Sequence, residues 1–435
     1  GDAHHALMER AHNLYIAGNA LNPMAFKSLK RMESEVVQMT ADLLHGPPST
    51  VGSLTSGGTE SLLLVVKTYR DRARRIWPWI RRPNAVVPNT IHPAFEKAAH
   101  LFGVKLKRVK VGSSGAVDPK EMAKKVDRNT IFIAASAPQY VTGVVDPIPE
   151  LSALALKKKL PLHVDACFGG FILPFLKDLG VQMPVFDFEN PGVTSISADL
   201  HKYGYAPKGA AVLLFRDMVH MRHQFFISTG WPGGIYASPG MAGTRPGGPI
   251  AAAWAAVNAM GFDGYKALAK GAWDVAQKLR EGLSGVPGIV ILGQPHSTIV
   301  TWRNTEVDTY AVADILMEKG WSVDRQQAPP SIHCSVNANN AQSVQVYIDD
   351  VREAVTHVRA HPELASEGEA AMYGLMAKVP VKTVVSEAVR GVLEGMYAPG
   401  GAAPDLSDPL DGLPIPKSVV QLGERALDAY ARLRS

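Results

Sequence analysis

The stretch from Ser195 to Gly209, SISADLHKYGYAPKG, decides the reading of this chain. It opens as a buried strand, SISADL, and stops abruptly at His201 and Lys202, with Gly204, Pro207 and Lys208 just behind. A lysine set directly after a buried strand is desolvated, which lowers its pKa toward the neutral amine. A neutral amine is the form that attacks an aldehyde carbon. The alternative is a lysine whose stem snorkels to the rim, and the residue alone leaves both open.

Outward from this stretch the pattern alternates. Upstream, TESLLLVVKTYRDRAR, HPAFEKAAHLFG, DPKEMAKKVDR and IPELSALALKKK read as helices. NAVVP, VKLKRVKV, TIFIAASAP, PLHVDACF, VTSISADL and AAVLLF read as short strands. Alternating strands and helices predict a mostly parallel sheet covered on both faces, an α/β fold. The segment TGWPGGIYASPGMAGTRPGG is too rich in Gly and Pro for an element, and its Trp231 and Tyr236 suggest a long ordered loop or a contact surface. After the apolar helix around PIAAAWAAVNAMG, the order strand, strand, helix, strand, helix predicts a smaller α+β unit. The expected division is 1–48 as a helical segment contributing to a dimer, 49–285 as a large α/β domain, and 286–435 as a small C-terminal domain. The tail YAPGGAAPDLSDPLDGLPIPKS is expected to be irregular, with a short helix after it.

The totals bound the function. A chain of 435 residues, 46% apolar, affords a large core and two or three packed units. A formal net charge of +5 favours anionic small molecules or a phosphate-rich surface without proving either. No clustered basic face with interleaved aromatics is read from the sequence, which argues against nucleic acid. Two cysteines, Cys167 and Cys334, make no disulfide framework and point to a reducing, cytoplasmic setting. No apolar run is long enough to span a membrane. The chain opens GDAHHALMER without an initiator Met, as a fragment would.

Ligands of open α/β sheets bind beyond the carboxyl ends of the strands. TSGGTES opens a helix there, and glycines with free N–H groups at a helix start favour a phosphate. The alternative is an ordinary helix start capped by Thr59 or Ser61. HVDACFGG carries His163, Asp165 and Cys167 at a spacing of two, which allows a metal geometrically, but no second ligand cluster accompanies them. Asp165 also reads as a capped buried carboxylate, or as the partner of a positive ring nitrogen. An anion site, a strand-end Asp and a strand-end Lys, in this order, are the three anchors of pyridoxal phosphate. In that reading the helix start holds the phosphate, Asp165 the ring nitrogen and Lys202 the aldehyde carbon, and no metal is expected. His92 of TIHPAF is placed to stack on the ring, or simply enters a helix before Pro93.

TSGGTES, PLHVDACFGG, SISADLHKYGYAPKG, GGIYASP and AGTRPGG together resemble the sphingosine-1-phosphate lyase family, across about residues 19 to 373. The resemblance implies a fold-type I pyridoxal-phosphate enzyme, close to the group II amino-acid decarboxylases, with Lys202 as the Schiff-base lysine. It implies phosphate contacts from Gly58, Thr59 and His201, and from Thr244 of a second subunit, hence a homodimer with shared sites. It makes Lys208 and Tyr373 ligands of the substrate phosphate, and Tyr140 a proton handler beside Lys202. The implied reaction is retro-aldol cleavage of a phosphorylated sphingoid base to a long-chain aldehyde and phosphoethanolamine. The alternative is amino-acid decarboxylation on the same fold, whose members generally lack a lysine at position 208. Two departures touch the substrate end: a Tyr-bearing segment usual in the family would fall before Gly1, and Asn22 stands where a His is common.

Overall fold

The computed structural model describes residues 1–21, 24–366, 370 and 382–400. The chain packs as two units. The first comprises Gly1–Arg280, Leu292–Thr301 and Ser335–Val344. In it, helices α1 (Asp2–Leu14) and α2 (Lys27–Leu43) precede strand β1 (Val51–Thr55). There follow in alternation α3 (Gly58–Ile76), β2 (Asn84–Pro88), α4 (Ala94–Phe102), β3 (Lys105–Val109), α5 (Pro119–Lys125) and β4 (Thr130–Ser136). Then come α6 (Ile148–Lys158), β5 (Leu162–Asp165), α7 (Leu173–Asp178), β6 (Val193–Ala198) and β7 (Ala211–Phe215).

These strands form one seven-stranded sheet in the order β1-β7-β6-β5-β4-β2-β3. The strands from β3 through β6 pair in parallel, and only β7 with its neighbours β6 and β1 runs antiparallel. The period of two sorts their side chains to opposite faces. Ala85, Val87, Leu213 and Phe215 pack with Leu62, Val65 and Tyr69 of α3 and Phe95 of α4. Val86, Ile133, Val164, Ile196 and Leu214 pack on the other side with Val36 of α2, Met122 of α5, Leu151 of α6 and Phe175 of α7. Both faces are therefore dry, which is why the central strands read as continuous apolar runs.

After α8 (Met218–Met221), the Gly- and Pro-rich segment is not wholly irregular. Its strand β9 (Tyr236–Ser238) pairs antiparallel with β8 (Phe226–Ser228). The expectation of a loop without an element is corrected here: backbone pairing three residues long needs no apolar alternation. The apolar helix extends as α9 (Gly247–Ser284), kinked at Gly261, whose φ of 59° and ψ of 177° interrupt the helical path.

The second unit comprises Glu281–Ile291, Trp302–Cys334 and the chain from Gln345. It contains β10 (Ile289–Ile291), β11 (Ile299–Asn304), whose first residues belong to the first unit, α10 (Thr309–Glu318), β12 (Asp324–Gln327), β13 (Pro330–Ser335) and α11 (Val344–Ala360), which starts at the boundary. The sheet order is β10-β11-β13-β12. Strand β12, sequence DRQQ, carries no apolar alternation because it is an edge, where polar side chains are favoured. Most of the Pro-rich tail and the short helix expected after it lie outside the described residues.

Candidate active site

The carboxyl ends of β4, β5 and β6 bring Ser136, Asp165 and Ser197 into register across three adjacent strands. Asp165 ends β5 and is buried. Its Oδ1 accepts the Cys167 N–H at 3.1 Å and the Ser197 hydroxyl at 3.4 Å. Cys167 Sγ donates to Ser197 Oγ at 3.2 Å. Burial, with the nearby Asp165 and Asp199 charges, pushes the Cys167 thiol well up, so it stays protonated. His163 does not share this site. Its ring nitrogens lie 2.8 Å from Ser195 Oγ and 3.2 Å from Ser197 Oγ, and burial pushes its pKa down to about 4. His163 is a neutral core histidine with both nitrogens engaged.

Strand β6 stops at Ala198, and the chain turns through Asp199, Leu200, His201 and Lys202. The turn aims Lys202 back at Asp199: Nζ lies 3.1 Å from Oδ2 of a carboxylate only 2% exposed. His201 Nε2 is 3.5 Å from the same oxygen. Asp199 Oδ1 and His201 Nδ1 are buried and have no hydrogen-bond partner among the described residues. The expectation that desolvation would leave Lys202 neutral is corrected. Burial does act to lower its pKa, but the charge of Asp199, that of Asp165 behind it and the hydrogen bond to Asp199 oppose this, and the amine is held above the ordinary lysine value. Asp199 is correspondingly held below the usual carboxylate range; burial opposes this, and His201 and Lys202 overcome it.

Opposite stands the start of α3. Its N-cap is Gly57, and no side chain caps it, so neither Thr59 nor Ser61 serves as the cap. Ser61 instead bonds the Thr55 hydroxyl at 2.7 Å. The glycines allow close approach: a Cβ on Gly58 would lie 2.8 Å from Cys167 Sγ and 3.0 Å from Asp199 Oδ2. Glu60 reaches back to the Ser56 N–H at 2.7 Å and out to the Met241 N–H at 3.2 Å, tying the Gly-rich segment to this helix start.

A cavity of about 540 Å³ joins these groups. Of the residues singled out from the sequence, Gly58, Thr59, His92, Tyr140, Asp165, His201 and Lys202 all line it. His92 also accepts the Ala94 N–H on Nδ1 at 3.1 Å, so the helix-entry reading holds alongside. The loop bearing Tyr140 is pinned within the first unit: Thr301 Oγ1 donates to Val141 O at 2.7 Å and the His296 N–H to Gly143 O at 3.0 Å. Thr244 lies elsewhere, in a neighbouring hollow of about 400 Å³ that shares Ser56, Thr59 and Glu60 with the first. Lys208 is exposed, and its Nζ donates to His201 O at 3.2 Å. Tyr373 and Asn22 lie outside the described residues. Sequence reasoning gave no role to Asp199, although it stands inside the deciding stretch, three residues before Lys202.

The class is set by the match of residues 13–304 to the model of the pyridoxal-dependent decarboxylase conserved domain. The chain is 40% identical over 395 residues to sphingosine-1-phosphate lyase 1 of Rattus norvegicus, covering 90% of this chain and 69% of that protein. A solved sphingosine-1-phosphate lyase of Burkholderia pseudomallei superposes with a TM-score of 0.80 at 40% identity, covering 83% of this chain and 85% of that one. A glutamate decarboxylase of Lactobacillus brevis shares the fold at a TM-score of 0.71 and 22% identity, covering 80% and 85%. Within the pyridoxal-dependent class, this chain belongs to the sphingosine-1-phosphate lyase family. The residues present fit the cofactor of that class. An uncapped, glycine-bordered helix start suits its phosphate, and a buried strand-end carboxylate suits its ring nitrogen.

Proposed function

We propose that this chain is a carbon–carbon lyase that uses pyridoxal phosphate to cleave sphingosine 1-phosphate, or a related phosphorylated sphingoid base, to a long-chain aldehyde and phosphoethanolamine. The observation that carries the reading is one cavity lined by Lys202, Asp165 and the start of α3, in a chain 40% identical to a lyase of that name over nine-tenths of its length. The decarboxylase alternative rests on likeness of fold alone.

Pyridoxal phosphate, when bound, supplies an aldehyde that condenses with an amine and a ring that takes up the electron pair of the broken carbon–carbon bond. Gly58, Thr59 and His201 hold its phosphate, joined by Thr244 of the partner subunit, and the enzyme works as a homodimer. Asp165 holds the ring nitrogen in its charged form, and His92 packs against the ring face. Lys202 is the amine that carries the cofactor between turnovers. Tyr140 takes up the proton of the substrate hydroxyl one carbon from the amine-bearing carbon and passes it on to Lys202. Lys202, kept protonated by Asp199, returns a proton at the carbon left behind. Lys208 and Tyr373 hold the substrate phosphate, which fixes the scissile bond relative to the ring. Among the described residues no helix is long and apolar enough to cross a membrane, and we place the enzyme in the cytoplasm.

The test is product analysis. Protein loaded with pyridoxal phosphate is incubated with a sphingoid-base phosphate and, separately, with glutamate. Aldehyde and phosphoethanolamine from the first are expected; carbon dioxide from the second, without aldehyde from the first, would overturn the lyase assignment.

A further inference from the structure

Between Arg72 and Phe95 the chain carries no acidic residue, and the middle of this run reads ARRIWPWIRRP. The sequence reading found no basic face with aromatics; the structure assembles one. The Trp77 carbonyl accepts the Ile80 N–H at 2.9 Å, closing a turn with Pro78 at its second position. The Arg72 guanidinium stacks 5.4 Å from the Trp77 ring centroid and fixes the turn's base. The turn presents Trp79 outward, 71% exposed, with Ile76 beside it at 41%.

Two further segments meet this turn. A hollow of about 500 Å³ is lined by Trp77, Trp79 and Ile80, by Arg128, and by Lys158 and Lys159. Its acidic neighbour Asp127 is already engaged by Lys107 at 2.6 Å, Asn84 at 2.9 Å and the Asn129 N–H. Arg81, Arg82, Arg128, Lys158 and Lys159 are exposed and have no acidic partner among the described residues. The segments immediately precede β2, β4 and β5, so the surface lies at the end of the sheet opposite the active-site cavity. Helix α3 connects the two ends over 19 residues, about 28 Å.

Basic last turns in α3, α5 and α6 alone would express helix dipoles. Dipoles do not account for Arg81, Arg82 and Arg128, which sit in loops, nor for a tryptophan held out into water by a closed turn. Exposed Trp and Ile flanked by arginines match the headgroup layer of a bilayer. There the indole sits at the interface and the cations meet lipid phosphates. A nucleic-acid track has no use for Ile76, and the cations here ring a hollow rather than follow a groove.

We propose that the surface formed by Trp79, Arg81, Arg82, Arg128, Lys158 and Lys159 docks this protein on an anionic phospholipid membrane. The inference stands on this surface and does not depend on the reaction assigned to the cavity. Docked this way, the active-site end faces away from the bilayer and stays open.

The test uses the full chain loaded with cofactor, sedimented with phosphatidylcholine vesicles with and without phosphatidylserine, at low and at high salt. Binding is expected only with phosphatidylserine and is expected to weaken with salt. Each cation near such a surface is worth about 1 kcal/mol, so Arg81→Ala with Arg82→Ala should weaken binding by about 30-fold. Trp79→Ala should weaken it too, while cofactor binding and the circular dichroism spectrum stay unchanged in both variants. Lys158→Ala with Lys159→Ala, on a separate segment, guards against a local folding defect in the turn. Absence of phosphatidylserine-dependent binding in the unaltered protein overturns the proposal. So does binding that the variants leave intact, or sedimentation with polyphosphate or RNA in place of vesicles.

Discussion

Asp146 is the carboxylate most clearly out of its element. It is fully buried, and its oxygens accept the backbone N–H groups of Ser136 at 2.9 Å and Val117 at 3.3 Å. Burial raises its pKa from an ordinary 3.8 to about 6, the two N–H bonds opposing the rise without cancelling it. A folded-state pKa above the unfolded one means that the unfolded chain loses this proton first as pH rises. The contribution to stability is therefore fully present below about pH 4 and is lost as pH climbs through about 6. The whole difference is worth about 3 kcal/mol, of which about 2 kcal/mol disappears between pH 4 and pH 6. The Asp146→Asn variant cannot titrate at this position. It puts an amide where one N–H donor pointed and costs about 1–3 kcal/mol for that mismatch at every pH. Urea unfolding of both proteins across this range separates the two effects, because every other carboxylate cancels in the difference. The stability advantage of the parent over the Asp146→Asn variant should shrink by about 2 kcal/mol from pH 4 to pH 6. A difference independent of pH, or one growing with pH, would refute the argument that burial dominates this group.

Lys202→Ala should abolish both the visible absorption band of the cofactor-loaded protein and its turnover; a band in the variant that borohydride bleaches, leaving the cofactor attached to the chain, would name another lysine. Asp199→Asn removes the charge that holds Lys202 protonated while burial remains, so in cofactor-free protein Lys202 should react with an amine-specific reagent at lower pH than in the parent, read by mass spectrometry. Asp199→Glu should restore most of the original profile, and an unmoved profile in Asp199→Asn would show that the ion pair does not set the amine's charge. Gly58→Ala would put a methyl 2.8 Å from Cys167 Sγ and so crowd the pocket wall. It should cost about 1–3 kcal/mol of stability and weaken cofactor binding, both measurable by calorimetry.

The parallel sheet was legible because both its faces are covered: NAVVP and TIFIAAS run apolar almost throughout, and only VTSISA carries a polar face, Ser195 and Ser197, toward the site. Strand β12 and the β8–β9 hairpin were not, since a polar edge and a three-residue pairing leave no periodic trace. Lys202, Asp165 and the glycines before Thr59 were legible as types of residue at strand ends. The role of Asp199 was not, although it stands among them. A carboxylate three residues from a lysine meets it only if the chain turns, and that turn is closed by the Lys202 N–H to Asp199 O contact at 3.4 Å and the Ala206 N–H to Leu200 O bond at 3.1 Å. The basic surface was missed for the same reason, as its three segments are far apart in sequence and converge only where β2, β4 and β5 begin.

Burial acts on every one of these groups at the strand ends, yet it does not have one outcome. It leaves His163 neutral, because the Asp165 charge opposes it without reversing it. It keeps Cys167 protonated, because the Asp165 and Asp199 charges add to it and outweigh Lys202. It fails to neutralise Lys202, because Asp199 lies 3.1 Å away. The depth of a lysine therefore does not by itself make it a nucleophile. What decides is whether a carboxylate stands beside it, and here a buried one does, while the lysine itself keeps more than a third of its side chain exposed. The amine that the sequence suggested as ready to attack an aldehyde is stored as an ammonium, so joining a carbonyl carbon requires that its proton first leave. His201 Nε2 stands 3.5 Å from the same carboxylate oxygen, and its Nδ1 is buried and unbonded among the described residues, so the carboxylate that holds the ammonium faces a second polar group within the same turn.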